Sequence, residues 1–264
     1  METRAVSAIK TNSKYFFTYA RKFSKIPSAI GPFIDQAKNI VSCPTKMAKM
    51  LANQYNSVFS VPKEEIKDPL DIFPKSTDSE DRFLTDLVLT RKDIEDAIKG
   101  VSPSAAAGPD RFPAILLKKC AHILSLPLVI IWQDSLDKGI VPPILKAANI
   151  VPIHKGDLRS VPKNYRPVAL TSHLIKVFEK VLRKHIVDYM EKHLLFNPSQ
   201  HGFRMGRSCL SQLLNHYDHI LSLLENGNDV DVIYIDFAKA FDKVDFSVTL
   251  NKLNQLGIRG TIGR

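Results

Sequence analysis

The most constraining feature of the sequence is a run of about twenty residues whose apolar positions recur at helical spacing. Leu174, Phe178, Val181, Leu182, Ile186 and Tyr189 fall on one face of a helix from Leu174 to His193. A helix with such a stripe needs another element to cover it, which excludes an all-β fold or an extended chain. Leu210, Leu213, Leu214, Tyr217, Leu221 and Leu224 repeat the pattern in a second helix. Between and after the helices stand short apolar runs of strand character, Ala147–Ile153 and Val230–Asp236, the latter rich in β-branched and aromatic residues and reached through a turn at Gly227 and Asn228. The order of elements implies layered α and β structure, so the expected fold class is α+β.

Local punctuation refines this. Thr90 with Asp93 three positions on is close to a capping box, and Gly100 ends the short helix carrying Ile94, Ala97 and Ile98. Helical stretches are expected over Ile115–Leu126 and Leu128–Lys138, divided at Pro127, and over Ser247–Leu256, closed by Gly257. Upstream, Met47, Met50, Leu51, Tyr55 and Val58 suggest a helix within a basic, proline-containing lead-in. The segment 68–86 is rich in Pro, Ser, Thr and acids and is the expected linker. The anticipated organisation is a mainly helical lead-in over 1–67, this linker, and a main domain over 87–264.

The formal net charge of +10 and a pI near 9.4 suit a polyanionic partner, nucleic acid first, although a solvated basic surface has the same composition. Cys43, Cys120 and Cys209 are far apart and lack the close Cys or His partners that zinc requires, which fits a reduced intracellular setting. The most apolar stretch, Ile123–Trp132, is interrupted by Pro127 and is much shorter than the roughly 20 residues of a bilayer span. A soluble protein without a membrane partner is expected. Lys155-Gly156 lacks the flanking residues of a phosphate-binding P-loop, and His216 and His219 lack a third ligand, so both histidines read as surface or core residues.

The chemistry concentrates in YIDFAKAFDKVDF, from Tyr234 to Phe246. An aspartate ending a buried strand projects its carboxylate from a rigid edge beside backbone carbonyls, giving hard oxygen ligands for magnesium. Asp236 is that candidate, and Phe241 lies beyond a turn where its ring could wall a pocket. The same residues also fit a strand-capping acid with Phe237 and Phe241 in the core.

This string resembles motif A of non-LTR retrotransposon (LINE-like) reverse transcriptases, and further blocks extend the likeness. LTRKDIEDAIKGVSPSAAAGPDRFPAILLKKC from Leu89 resembles the family's N-terminal extension. ANIVPIHKGD from Ala148 with NYRPVALTSHLIKVFEKVLRKHI from Asn164 resembles its first fingers motif, and QHGFRMGRSC from Gln200 resembles the second, written QxGFRxGRS. These blocks stand in the family's order from Leu89 to Gly260.

The resemblance implies a right-hand polymerase fold, fingers over a palm, that extends a DNA primer on an RNA template with deoxynucleoside triphosphates and Mg2+. It implies Asp236 as catalytic metal ligand with the Phe237 backbone as auxiliary ligand. Phe241 becomes a gate against the ribose 2′-hydroxyl, and Lys155 and Arg166 contacts to the incoming triphosphate. Gln200, Gly202, Phe203 and Arg204 would shape the surface beside the template base, with Arg207 on backbone phosphate. Gly202 and Gly206 would allow positive φ or close approach of the backbone. Nuclear or ribonucleoprotein association follows by the same implication.

Phosphoryl transfer of this kind uses two metal ions about 4 Å apart, held by carboxylates from more than one strand. The sequence has no Asp-Asp pair, which the family carries in a later hairpin motif. Asp229, Asp231, Asp242 and Asp245 all have plain surface explanations. The expectation is therefore a truncated palm, at most one partial magnesium site, and no polymerase activity by this polypeptide alone. The alternative is a noncatalytic RNA-binding remnant of such a polymerase.

Overall fold

The computed structural model describes residues 30–58 and 83–263. Most of the expected linker, and the aromatic and basic lead-in before Ile30, lie outside the described residues. The chain forms two compact units, Met1–Tyr55 with Pro152–Pro167 and Asn56–Val151 with Val168–Arg264.

In the first unit, the Met47-to-Tyr55 pattern forms helix α1, Pro44–Asn56, in which Leu51 is buried. Strand β1, Phe33–Ile34, pairs antiparallel with β2, Ile40–Val41. A small core joins Phe33, Leu51 and Tyr165, with Met47, Met50 and Tyr55 packed on it. The Tyr165 ring meets Phe33 edge-on at 5.3 Å, and its hydroxyl donates to the Arg159 carbonyl at 2.9 Å. Ile34 N donates to the Ser160 carbonyl at 2.9 Å, so the segment before Tyr165 is fastened by backbone as well as side chain.

The second unit is built on helices α2 (Arg91–Lys99), α3 (Ala114–Lys119), α4 (Ala121–Lys138), α5 (Pro143–Lys146) and α6 (His173–Lys192). Helix α2 starts where the sequence indicates: Thr90 accepts from Asp93 N while the Asp93 side chain accepts from Thr90 N, closing the capping box. Its apolar face buries Ile94, Ala97 and Ile98 in one core with Leu117, Leu128, Trp132, Ile175, Val177, Phe178 and Val181. At the centre Trp132 of α4 stacks on Phe178 of α6, centroids 4.4 Å apart and planes 9° from parallel. The extended residues before α2 are held by the Gln133 side-chain amide, which accepts from Leu89 N at 2.9 Å and donates to the Leu87 carbonyl at 3.1 Å.

The helix division expected at Pro127 falls instead at Cys120, and α4 runs through the proline. Proline fixes a helical φ but supplies no amide to the carbonyl four residues back. The carbonyl left without its amide is that of Ile123, an exposed residue where water can serve it, while Arg91 and Ser125 donate to the preceding His122 carbonyl.

Strand β3, Ala148–His154, and strand β4, Tyr165–Thr171, pair with each other and lead into α6. The β4 to α6 junction is tight. Ser172 caps α6 and donates to Asp110 of the Gly108-Pro109-Asp110 loop, and a Cβ on Gly108 would lie 2.5 Å from Ser172 N. Beyond α6 come α7, Cys209–Glu225, and α8, Phe246–Gln255. After α8 the chain returns to the start of the unit, with a parallel bridge between Leu84 and Ile258.

The strand expected over Val230–Asp236 is not formed. The segment has no regular secondary structure, and Ile233, Tyr234 and Ile235 are about four-fifths or more exposed, at 85%, 81% and 79%. Apolar residues become a strand only where a neighbouring edge satisfies the backbone. Among the described residues no strand lies beside this segment. Helix α7 forms as expected, yet Leu210, Leu213, Leu214, Tyr217, Leu221 and Leu224 remain exposed. The observed class is mixed α+β, several helices with two small sheets.

Candidate functional site

The Gln200–Ser208 loop joins α6 to α7, and its shape is dictated by ties to both helices. Arg204 donates to both carboxylate oxygens of Glu191 near the end of α6, Nε to Oε1 at 3.0 Å and Nη2 to Oε2 at 2.7 Å. Its guanidinium also covers the Phe196 ring at 5.1 Å, and Nη1 donates to the Asn197 carbonyl at 3.3 Å. A planar, doubly bonded guanidinium has little freedom to turn elsewhere. The Arg204 charge and hydrogen bonds hold the Glu191 carboxyl below its usual value. Gln200 turns inward along the loop, its side-chain amide donating to the Gly202 carbonyl at 3.3 Å.

Phe203 adopts a positive φ of 62°, an unfavourable region for a residue with a Cβ, and its ring stands 82% exposed. Arg183 donates to its carbonyl at 3.4 Å. The positive φ expected at Gly202 and Gly206 is found at Gly206 (72°) but not at Gly202, where Phe203 makes the reversal instead. Gly202 has no atom within 4 Å of an ideal Cβ, so no protein group crowds it.

The Tyr234–Phe246 segment approaches this loop through its aromatic residues. The Phe203 and Phe241 rings lie edge-to-face, centroids 6.4 Å apart and planes at 87°. Phe241 is also 82% exposed. The turn between Asp236 and Phe241 places Lys239 at a positive φ of 56°. Asp245 then caps α8, accepting from Ser247 N and Val248 N, which accounts for that acid by local structure. One tie to α7 had no sequence signal: His216 Nε2 lies 3.0 Å from the Tyr234 hydroxyl.

Asp236 and Phe237 are exposed on this segment. Among the described residues no group of three or more His, Cys, Asp or Glu side chains converges to hold a metal. A site for a pair of magnesium ions needs several carboxylates, which the described residues do not bring together in a group of three or more. Lys155 and Arg166 are exposed in the first unit, Lys155 N donating to the Asn164 carbonyl at 2.8 Å. The remaining candidates belong to the second unit. No helix among the described residues is long and apolar enough to cross a membrane.

Sequence reasoning missed Glu191, His201 and His216. His201 is buried, with Nδ1 at 2.8 Å from Ser211 Oγ and Nε2 at 3.3 Å from Arg207 Nη1. Its position is the first of the two unspecified ones in QxGFRxGRS, and nothing local announces partners supplied by a turn and the next helix.

Comparison with known proteins agrees with these blocks. Residues 153–262 match the family described as "Reverse transcriptase (RNA-dependent DNA polymerase)". The chain is 30% identical over 166 residues to the "Probable RNA-directed DNA polymerase from transposon BS" of Drosophila melanogaster, covering 62% of this chain and 18% of that protein. It is 33% identical over 173 residues to the "Retrovirus-related Pol polyprotein from type-1 retrotransposable element R2" of Popillia japonica, covering 64% and 22%. It is also 28% identical over 130 residues to the "RNA-directed DNA polymerase from mobile element jockey" of Drosophila melanogaster, covering 49% and 14%. The chain thus spans less than a quarter of the length of these relatives. Over its matched region, the chain is thus similar to reverse transcriptases of non-LTR retrotransposons.

Proposed function

We propose that this chain forms the template- and nucleotide-facing part of an RNA-directed DNA polymerase, with fingers formed around the β3–β4 pair and the Gln200–Ser208 loop and the first palm segment carrying Asp236. The observation that carries this reading is the Phe203–Phe241 contact, which joins two sequence blocks separated by a whole helix. Exposed aromatic rings beside basic groups suit an unpaired, negatively charged strand.

In the reaction, a primer 3′-hydroxyl attacks the α-phosphorus of a deoxynucleoside triphosphate and pyrophosphate leaves. Magnesium, in the assembled polymerase, would neutralise the phosphates. From this chain, Asp236 supplies a carboxylate with the Phe237 backbone beside it. Lys155 and Arg166 offer charge to the triphosphate, and Phe241 blocks the space of a ribose 2′-hydroxyl. Gln200, Gly202 and Phe203 border the template base, Arg204 shapes that border, and Arg207 contacts backbone phosphate.

Primer extension on an RNA template by a complete element protein containing this chain is the test. Asp236→Asn should abolish extension while RNA binding persists. Undiminished extension by that variant would remove Asp236 from the site.

A second reading, an RNA-binding remnant without catalysis, is favoured because no group of three or more His, Cys, Asp or Glu among the described residues could hold a metal. It requires RNA affinity that falls steeply with salt, and no extension by the polypeptide alone.

A further inference from the structure

The loop that carries the arginines of the second fingers motif treats them differently. Arg204 is spent on Glu191, Asn197 and the Phe196 ring. Arg207 is exposed and touches His201 through one guanidinium nitrogen. We infer that His201 is a positioning residue that aims Arg207 at a phosphate of single-stranded RNA, while Arg204 serves as the internal brace of the loop. This rests on the nucleic-acid-binding part of the function proposed above.

The hydrogen-bond pattern fixes the state of the imidazole. A guanidinium only donates, so His201 Nε2, 3.3 Å from Arg207 Nη1, accepts. The ring proton is therefore on Nδ1 and points at Ser211 Oγ, 2.8 Å away. Ser211 completes the account: its hydroxyl donates to the Ser208 carbonyl at 2.9 Å and accepts from Ser208 N at 2.9 Å. Each polar atom in this chain of contacts has a compatible role, and the chain starts at the first turn of α7.

Because His201 is buried and anchored to Ser211, it presents Nε2 in a fixed direction. Arg207 keeps its remaining donors available for a phosphate. The Arg207 charge also reaches Glu191 on α6, whose carboxyl it helps to hold low.

The test uses the 264-residue chain and a single-stranded uridine oligonucleotide, with affinity measured against salt. Arg207→Ala should weaken binding about tenfold and flatten the salt slope by about 0.7, the loss of one phosphate contact on a single strand. His201→Phe should weaken binding to a similar degree at pH 8, and the double variant should be no weaker than either single one. His201→Gln, which keeps a side-chain acceptor for Arg207, should retain affinity.

Thermal melting of each variant separates misfolding from misdirection, and His201→Gln supplies a folded reference if His201→Phe melts early. Binding by a folded His201→Phe equal to wild type, full additivity with Arg207→Ala, or loss of affinity in a folded His201→Gln would overturn the assignment. Salt-independent or absent RNA binding by the wild type would instead overturn the underlying reading.

Discussion

Both oxygens of the Glu191 carboxylate accept from Arg204, at 3.0 and 2.7 Å, fastening the end of α6 to the loop that follows it. The pair fixes where Phe203 stands, because Phe203 directly precedes Arg204 in sequence. Arg204→Lys should loosen the loop, since an ammonium cannot reproduce the fork. The expected result is a lower melting temperature and faster amide exchange over residues 200–208, with α2 and α4 unchanged. Uniform exchange across wild type and variant would show that the fork does not hold the loop.

The same pair makes a pH prediction. Arg204 lowers the Glu191 pKa from an ordinary value of 4.5. A carboxyl depressed in the folded state contributes stability above its unfolded pKa and loses it as pH falls through the folded one. The stability gap between wild type and Glu191→Gln should therefore be full near neutrality, begin to shrink near pH 4.5, and close at lower pH. Melting curves across that range decide it; a constant gap would contradict the linkage.

Trp132 reports on the core because it is the only tryptophan in the sequence and lies flat against Phe178. Phe178→Ala removes one ring of the stack from a buried position and should cost about 3–5 kcal/mol. Denaturant unfolding followed by Trp132 fluorescence measures the loss directly. A change below about 1 kcal/mol would mean that the site repacks almost completely.

Gly108 tests the seam between the Gly108-Pro109-Asp110 loop and α6. A Cβ there would meet backbone atoms of Thr171 and Ser172 at 2.5 to 2.7 Å. Backbone cannot swing aside like a side-chain tip, so Gly108→Ala should destabilise by about 1–3 kcal/mol. Gly202→Ala, with nothing within 4 Å, is the matched control and should stay within about 0.5 kcal/mol.

Phe203 and Phe241 separate stability from binding. Both rings are largely exposed, so Phe203→Ser should change folding stability by no more than about 0.5 kcal/mol. Loss of a stacking surface should lower affinity for single-stranded RNA by about tenfold, corresponding to about 1–3 kcal/mol per stacked base. Unchanged affinity in a folded variant would remove Phe203 from the nucleic-acid surface.

Features specified by neighbours in the chain were legible in advance. Thr90 and Asp93 cap α2 because their donors and acceptors are three residues apart, and the α6 stripe follows from helical spacing alone. Features that need a distant partner were not. Pro127 looked like a break because the sequence does not reveal the packing of Leu128, Trp132 and Leu136 that holds α4 in one piece through it. Gly202 was the natural site for the backbone reversal, yet the ties on Arg204 and Arg183 accompany that reversal at Phe203.

The sequence by itself determined most of the helices, the Thr90–Asp93 cap, the β3 strand and the order of the family blocks, because each depends on local spacing or on a contiguous string. Tertiary structure decided that Glu191 claims Arg204, that His201 meets Arg207, and that Phe203 meets Phe241. It also left Val230–Asp236 without a strand partner. These outcomes turn on which groups meet across space, and a hydrogen bond or ring contact has no energy until both partners are in place.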